Sequence, residues 1–232
     1  MLSTLLKATS RRTSPVYVGG YFYGFLGTTS TTNISLTSLT GGLAAAPAEN
    51  DIVVVAYSVG STIDENLSVT GYAEIADIVS GGTYLANLSV HWKKMTASPD
   101  TSITVSSTGN VANAAAVAIH VWRGQDLTTP WDTDATTDTG TSTGDVNPPA
   151  INPPIIGSVI LCAGSFAANG TGTLTAGYLS NFVTGSSNDT YDSVVGMGSV
   201  LTTGAYNPAA WTAGAGPTGP NWAAVTMALR GA

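Results

Sequence analysis

Two histidines, one cysteine and fourteen carboxylates are the residues of this chain suited to acid–base, nucleophilic or metal chemistry. His91 and His120 each sit among apolar neighbours, and alternation with Val90 and Val121 places both on a wet or rim face of a strand. They would form a metal site only if their strands were adjacent and a carboxylate joined them, so no metal and no cofactor are expected. Cys162 lies in Val159-Ile160-Leu161-Cys162-Ala163, an apolar strand pattern, and reads as a small buried hydrophobe rather than a nucleophile. A single cysteine excludes an intrachain disulfide. Glycoside hydrolysis requires two carboxyl groups facing each other across a cleft, and no pair among the fourteen carboxylates stands in a recognisable pattern. Asp132, Asp134, Asp138 and Asp145 cluster in a Thr-rich stretch without the Asp-x-Asp-x-Asp-Gly order of a calcium loop, and read as a solvated acidic segment. No Gly-x-Ser-x-Gly or Gly-x-x-x-x-Gly-Lys motif occurs, and Gly24, Gly27, Gly41, Gly42, Gly81 and Gly82 read as turn residues. The expectation is a protein that is not an enzyme.

Aromatic residues are the better candidates for contact. Trp92 and Trp122 alternate with apolar positions and are expected in the core, whereas Trp131, directly after Pro130, is the candidate for stacking on a sugar ring. The run from Val16 to Leu26 holds Tyr17, Tyr21, Phe22, Tyr23 and Phe25. Left exposed it would be a large apolar patch, so it is expected to be buried in the domain or against a partner.

These groups must be positioned by a chain that is 43% hydrophobic but only 9% charged, against about 25% charged in an ordinary soluble domain. Polarity comes instead from 34 threonines and 27 glycines. No run of about 18 apolar residues occurs, so no membrane insertion is expected. Lys7, Arg11 and Arg12 are three of the seven basic residues, and no acidic residue precedes Glu49. The rest of the chain is acidic, which disfavours nucleic acid as a partner. No apolar segment of signal-peptide form precedes the basic residues.

Strand-sized runs bounded by Gly, Asn, Pro and Ser/Thr clusters dominate, at 33–39, 51–59, 72–79, 84–95, 102–106 and 114–122 and again at 158–167, 178–184, 191–201, 209–213 and 222–229. The two sets are related by an offset of about 107 residues: Pro47 falls over Pro154, Ala56-Tyr57-Ser58 over Ala163-Gly164-Ser165, Thr83-Tyr84 over Thr190-Tyr191, and Arg123-Gly124 over Arg230-Gly231. The expected fold is therefore all-β, a jelly-roll-like β-sandwich built from an internal duplication, with copies at 33–124 and 140–231 in a body spanning 27–232. Two small sandwiches in tandem or one larger interleaved sandwich both satisfy the repeat. One compact domain is favoured, because each copy is short of large apolar residues. Residues 1–26 are expected to be an N-terminal arm whose Leu5, Leu6, Lys7, Arg11, Arg12, Tyr17, Tyr21, Phe22 and Tyr23 bind a partner.

The pattern of Asn50-Asp51, Gly71-Tyr72, Trp122-Arg123-Gly124-Gln125-Asp126, Thr129-Pro130 and the closing Ala228-Leu229-Arg230 resembles the Thr/Gly/Ala-rich β-sandwich modules of bacteriophage and prophage virion proteins, which also occur in some bacterial surface proteins. The resemblance covers roughly residues 33–232. It implies a non-enzymatic structural protein of a phage or phage-like particle, displayed on the virion at the head or tail. The basic arm and the missing secretion signal favour that setting over a secreted one. Expected partners are other virion subunits, further copies of the chain and, in the alternative reading as an adhesin module, a host surface glycan contacted by Trp131.

Overall fold

Uninterrupted apolar runs, rather than apolar–polar alternation, mark the central strands, because those strands are covered on both faces. The computed structural model describes residues 12–26, 31–107, 114–141, 145–153, 155, 157–168, 173–187, 192–201, 204–214 and 221–232. Leu5, Leu6, Lys7 and Arg11 of the expected arm lie outside these residues, as do Gly27 and the repeat positions Pro154, Thr190 and Tyr191.

Among the described residues there are fifteen strands and no helix. The first half contributes β1 (Val16–Leu26), β2 (Thr31–Ser35), β3 (Ile52–Ser61), β4 (Leu67–Val69), β5 (Ala73–Val79), β6 (Leu85–Lys94), β7 (Ser102–Ser107) and β8 (Ala114–Arg123). The second contributes β9 (Thr136–Gly140), β10 (Val159–Ala168), β11 (Thr173–Thr175), β12 (Ser180–Ser187), β13 (Asp192–Leu201), β14 (Thr212–Gly214) and β15 (Asn221–Leu229). They form two five-stranded antiparallel sheets, ordered β1-β8-β3-β6-β5 and β9-β15-β10-β13-β12, with a three-stranded sheet β2-β7-β4 and a two-stranded sheet β11-β14. Four of the five corresponding strand pairs of the large sheets begin 107 residues apart, as Ile52 and Val159 do, while β1 and β9 begin 120 apart.

The layers follow from side-chain parity. Ile52, Val54 and Ala56 of β3 point toward the second large sheet and meet Leu161, Ala163, Met197, Val225 and Met227 in one core. The intervening Val53, Val55, Tyr57 and Val59 point the other way and pack under Ile34, Leu67, Ile103 and Val105 of the small sheet. On the far side, Ile160, Cys162 and Phe166 of β10 are covered by Leu174, Trp211 and Val146. The result is a four-layered stack in which the strands of the halves do not interleave: each large sheet has its own small cover, and the large sheets face each other. All ten residues of β3 and all nine of β15 are buried.

The segment 16–26 belongs to this stack, so the boundary expected at residue 26 is corrected: β1 is an edge strand paired along its length with β8. A bulge at Val18 switches its parity, sending Tyr17 and Phe22 toward the inter-sheet core and Val18, Tyr21, Tyr23 and Phe25 toward the outer one. Gly24, expected in a turn, lies inside β1. Glycine is required on the inner face because the sheets approach closely there: a Cβ on Gly20 would collide with Val183 and the Ile119 carbonyl, and one on Gly185 of β12 would enter the Phe22 ring. The stretch connecting the two halves is also partly strand, since β9 pairs with β15 from Trp222↔Gly140 to Thr226↔Thr136.

Each half closes on an acid–arginine clamp. Asp51 accepts Arg123 Nε and Nη2 at 2.7 and 2.9 Å and the Ala48 N–H at 2.7 Å. Asp132 accepts the Ile155 N–H at 3.0 Å and Ser158 Oγ at 2.9 Å, with Arg230 Nε 3.8 Å away. Both carboxylates are fully buried, and such charge-assisted bonds are what makes that burial tolerable.

The shared central core predicts that Leu161→Ala, which removes a fully buried side chain facing both halves, costs about 2–5 kcal/mol. Equilibrium urea unfolding should show both halves weakened together in one transition. Two separate transitions, only one of them shifted, would contradict a shared core.

Candidate functional site

The histidines are not where alternation suggested. His91 and His120 are buried, at 3% and 0% exposure, because the faces expected to be wet are covered by further layers. His91 pairs with Val55 and His120 with Val54, so the two rings lie on opposite faces of the sheet with β3 between them. They do not converge, and no group of three or more His, Cys, Asp or Glu among the described residues is placed to hold a metal ion. His120 packs edge-on against Tyr17, 5.1 Å between ring centroids, and beside Trp122 at 6.1 Å. Its ring nitrogens lie near the Asn181 and Met197 carbonyls without closing a hydrogen bond of normal geometry. Burial pushes its pKa down to about 3, opposed by those carbonyls. His91 Nε2 meets Ser89 Oγ at 3.1 Å, and burial lowers its pKa against the pull of Glu74. Cys162 is fully buried as expected, and burial pushes its thiol up to about 12.

The acidic cluster disperses. Asp132 is a structural clamp, Asp138 stands exposed on β9, Asp145 is exposed, and Asp134 alone reaches a concavity. That concavity, about 320 Å³, opens where the large sheets meet along β5 and β9. Its walls are Trp92 of β6, Trp131 and Asp134 of the connecting segment, Glu74 and Ile75 of β5, and Met227 of β15. Trp131 is held by its bridge to Leu229. It meets Trp92 edge to face, with centroids 5.6 Å apart and planes at 88°. Sequence reasoning singles out Trp131 as the contact residue but puts Trp92 wholly in the core. Trp92 is half-buried at the mouth of the cleft, and only its pairing with a residue 39 positions away, visible once β15 is in place, separates it from Trp122. The other three tryptophans, Trp122, Trp211 and Trp222, are buried.

A second cleft, about 350 Å³, is lined by Pro15, Val16, Tyr17, Trp122, Asn181 and Leu201. Of the expected arm residues, Tyr17, Tyr21, Phe22 and Tyr23 are half-buried in β1, and only Tyr17 borders this cleft. Burial raises the Tyr17 phenol above its ordinary range. Arg12 is fastened to the body: its Nη1 donates to Asp126 Oδ2 at 3.2 Å and to the Gly231 carbonyl at 3.1 Å.

A histidine whose folded pKa lies below its unfolded value of about 6.5 binds fewer protons when folded. The stability that depends on neutral His120 is therefore complete above pH 6.5 and falls as the pH drops from there toward 3. Chemical denaturation at intervals across that window should show the decline, and His120→Phe should reduce its slope; an unchanged slope in the variant would assign the acid sensitivity elsewhere. No protein-family model, curated protein or solved structure matches the chain.

Proposed function

We propose that this chain is a non-enzymatic structural protein of a phage or phage-like particle, a β-sandwich body joined to neighbouring subunits by its N-terminal segment. The observation that carries this reading is the docking of residues 12–14 at one end of the seam between the halves. The Thr13 N–H donates to the Ala232 carbonyl at 2.9 Å, Ser14 Oγ donates to the Gly157 carbonyl at 3.0 Å, and Arg12 bridges Asp126 and Gly231. Gly231 is required there, because a Cβ would collide with the Thr13 carbonyl oxygen. The segment carrying Leu5, Leu6, Lys7 and Arg11 thus departs from a fixed point between the closing turns of both halves. Its cations and leucines suit an acidic and apolar groove on another virion subunit or a further copy of the chain.

The matched strand orders and the 107-residue spacing support descent of the two halves from one duplicated unit. A second reading, an adhesin module that recognises a host surface glycan, is favoured by one specific observation: the half-buried Trp92–Trp131 pair beside carboxylate and hydroxyl acceptors.

When particles are purified from cells producing this chain, the full-length protein should sediment with them. A chain lacking residues 1–11 keeps β1 and should unfold at the same temperature as the parent, yet remain in the supernatant. Incorporation of the shortened chain at the parent level, or absence of the full chain from particles, would overturn the proposal.

A further inference from the structure

We propose that the apolar cleft at the start of β1 seats Leu5 and Leu6 from the N-terminal segment of a second copy of this chain, each copy giving its segment to the other. The proposal rests on the reading of that segment as the joint between subunits, and adds to it the partner and the place. Its first support is the cleft itself. Of the five large apolar side chains that stand exposed among the described residues, two border this one concavity of about 350 Å³: Val16, 49% exposed, and Leu201, 62% exposed. Pro15, Tyr17, Trp122 and Val159 complete its apolar wall, and none of the described residues that line it is charged. Exposed valine and leucine gathered round one concavity beside two aromatic rings mark a contact surface, unlike apolar residues scattered singly.

The polar groups at the rim are already engaged with one another. The β12 ladder shifts register between Ser180 and Val183, where Asn181 takes a φ of 55°. Asn181 Nδ2 donates to Ser199 Oγ at 3.1 Å, and Ser199 Oγ donates to the Ser180 carbonyl at 3.3 Å. What remains to be covered is apolar surface, so the cleft suits an apolar side chain with no charge of its own at the contact.

The path of the chain names the occupant. Ser14 and Pro15 line the cleft, so the segment that carries Leu5 and Leu6 leaves from its rim. It leaves outward: the Thr13 N–H donates to the Ala232 carbonyl and Arg12 Nη1 to Asp126 and the Gly231 carbonyl, and none of these partners borders the cleft. To enter its own cleft the chain would have to double back over this docking, whereas the cleft of a facing copy needs no reversal. The six residues from Leu6 to Arg12 span up to roughly 20 Å when extended, enough to cross to a neighbour. Charge favours the same pairing. Met1 to Arg12 hold three basic residues and no acidic one, while the rest of the chain holds four basic against fourteen acidic residues, so the segment of one copy is attracted to the body of another. Reciprocal exchange uses the same two surfaces on both copies and closes at a dimer.

The test uses the full-length protein and analytical ultracentrifugation over a dilution series, in which the parent should sediment as a dimer. Leu201→Asp, at an exposed position, and Leu5→Asp/Leu6→Asp should each raise the dimer dissociation constant by roughly tenfold or more with the melting temperature unchanged. Mixing the two variants should restore dimer, because one intact segment then meets one intact cleft. Two further chains read the contact directly: a mixture of Leu6→Cys and Leu201→Cys should oxidise to a disulfide joining one chain of each kind, the native Cys162 being fully buried. A monomeric parent, with an intrachain disulfide formed in Leu6→Cys/Leu201→Cys, would give the cleft to the chain's own segment and overturn the second copy. A monomeric parent without that disulfide, or a dimer indifferent to both aspartate variants, would overturn the cleft assignment altogether. The virion reading stands or falls separately: a dimer that never sediments with particles keeps the exchange and sinks that reading, while a monomer incorporated into particles does the reverse.

Discussion

The stacking of two five-stranded sheets, each covered on its outer face as well, is the constraint on which the rest of this structure depends. A strand with one wet face alternates polar and apolar residues, but one enclosed between layers must be apolar or small along its length. β3, β8, β10 and β15 meet that demand with valine, isoleucine, leucine and alanine. The alanine-rich start of β8 is a packing solution: Ala116 and Ala118 bring it close to Val195 and Met197 of the facing sheet. Charge is displaced to edges, turns and the connecting segment. Of the buried carboxylates, Asp51 and Asp132 each lie beside the arginine that ends their half, and Glu65 accepts from Ser61 Oγ at 3.0 Å.

That constraint also decides which elements are legible in the sequence. The long apolar strands stand out, because an uninterrupted β-branched run in a chain this rich in turn residues fits little besides a buried strand. β1 is hidden because Gly19, Gly20 and Gly24 look like breaks. In fact Gly20 and Gly24 mark where β12 comes too close for side chains. β4 and β11, three residues each, are too short to show a period, and β9 is a polar edge strand whose pairing depends wholly on β15. Alternation presumes a single buried face. His91 is enclosed by the small covering sheet, whose short segments have no strong pattern of their own, and His120 by β12 and β13 of the facing large sheet.

The cleft is half legible for a related reason. Trp131 follows a proline in a connecting segment and so stands out. Trp92, Asp134 and Met227 come from three separate stretches, and they border one cleft only because the sheets meet face to face with the connecting segment running along β15. A site at such a seam belongs to neither half alone. Its geometry is set by the packing that holds the halves together, so loosening the central core would blur the site before it unfolded either sheet.

The docking of residues 12–14 against Gly231 and Ala232 gives the body a defined path for mechanical load. Tension on the N-terminal segment is taken first by the Arg12 and Thr13 contacts and then by β1, which runs antiparallel to β8 with its ladder bonds across the direction of pull. Bonds arranged this way are loaded in shear, several at once, rather than peeled one by one. From β8 the same ladder continues into β3, the strand buried along its whole length at the centre of that sheet.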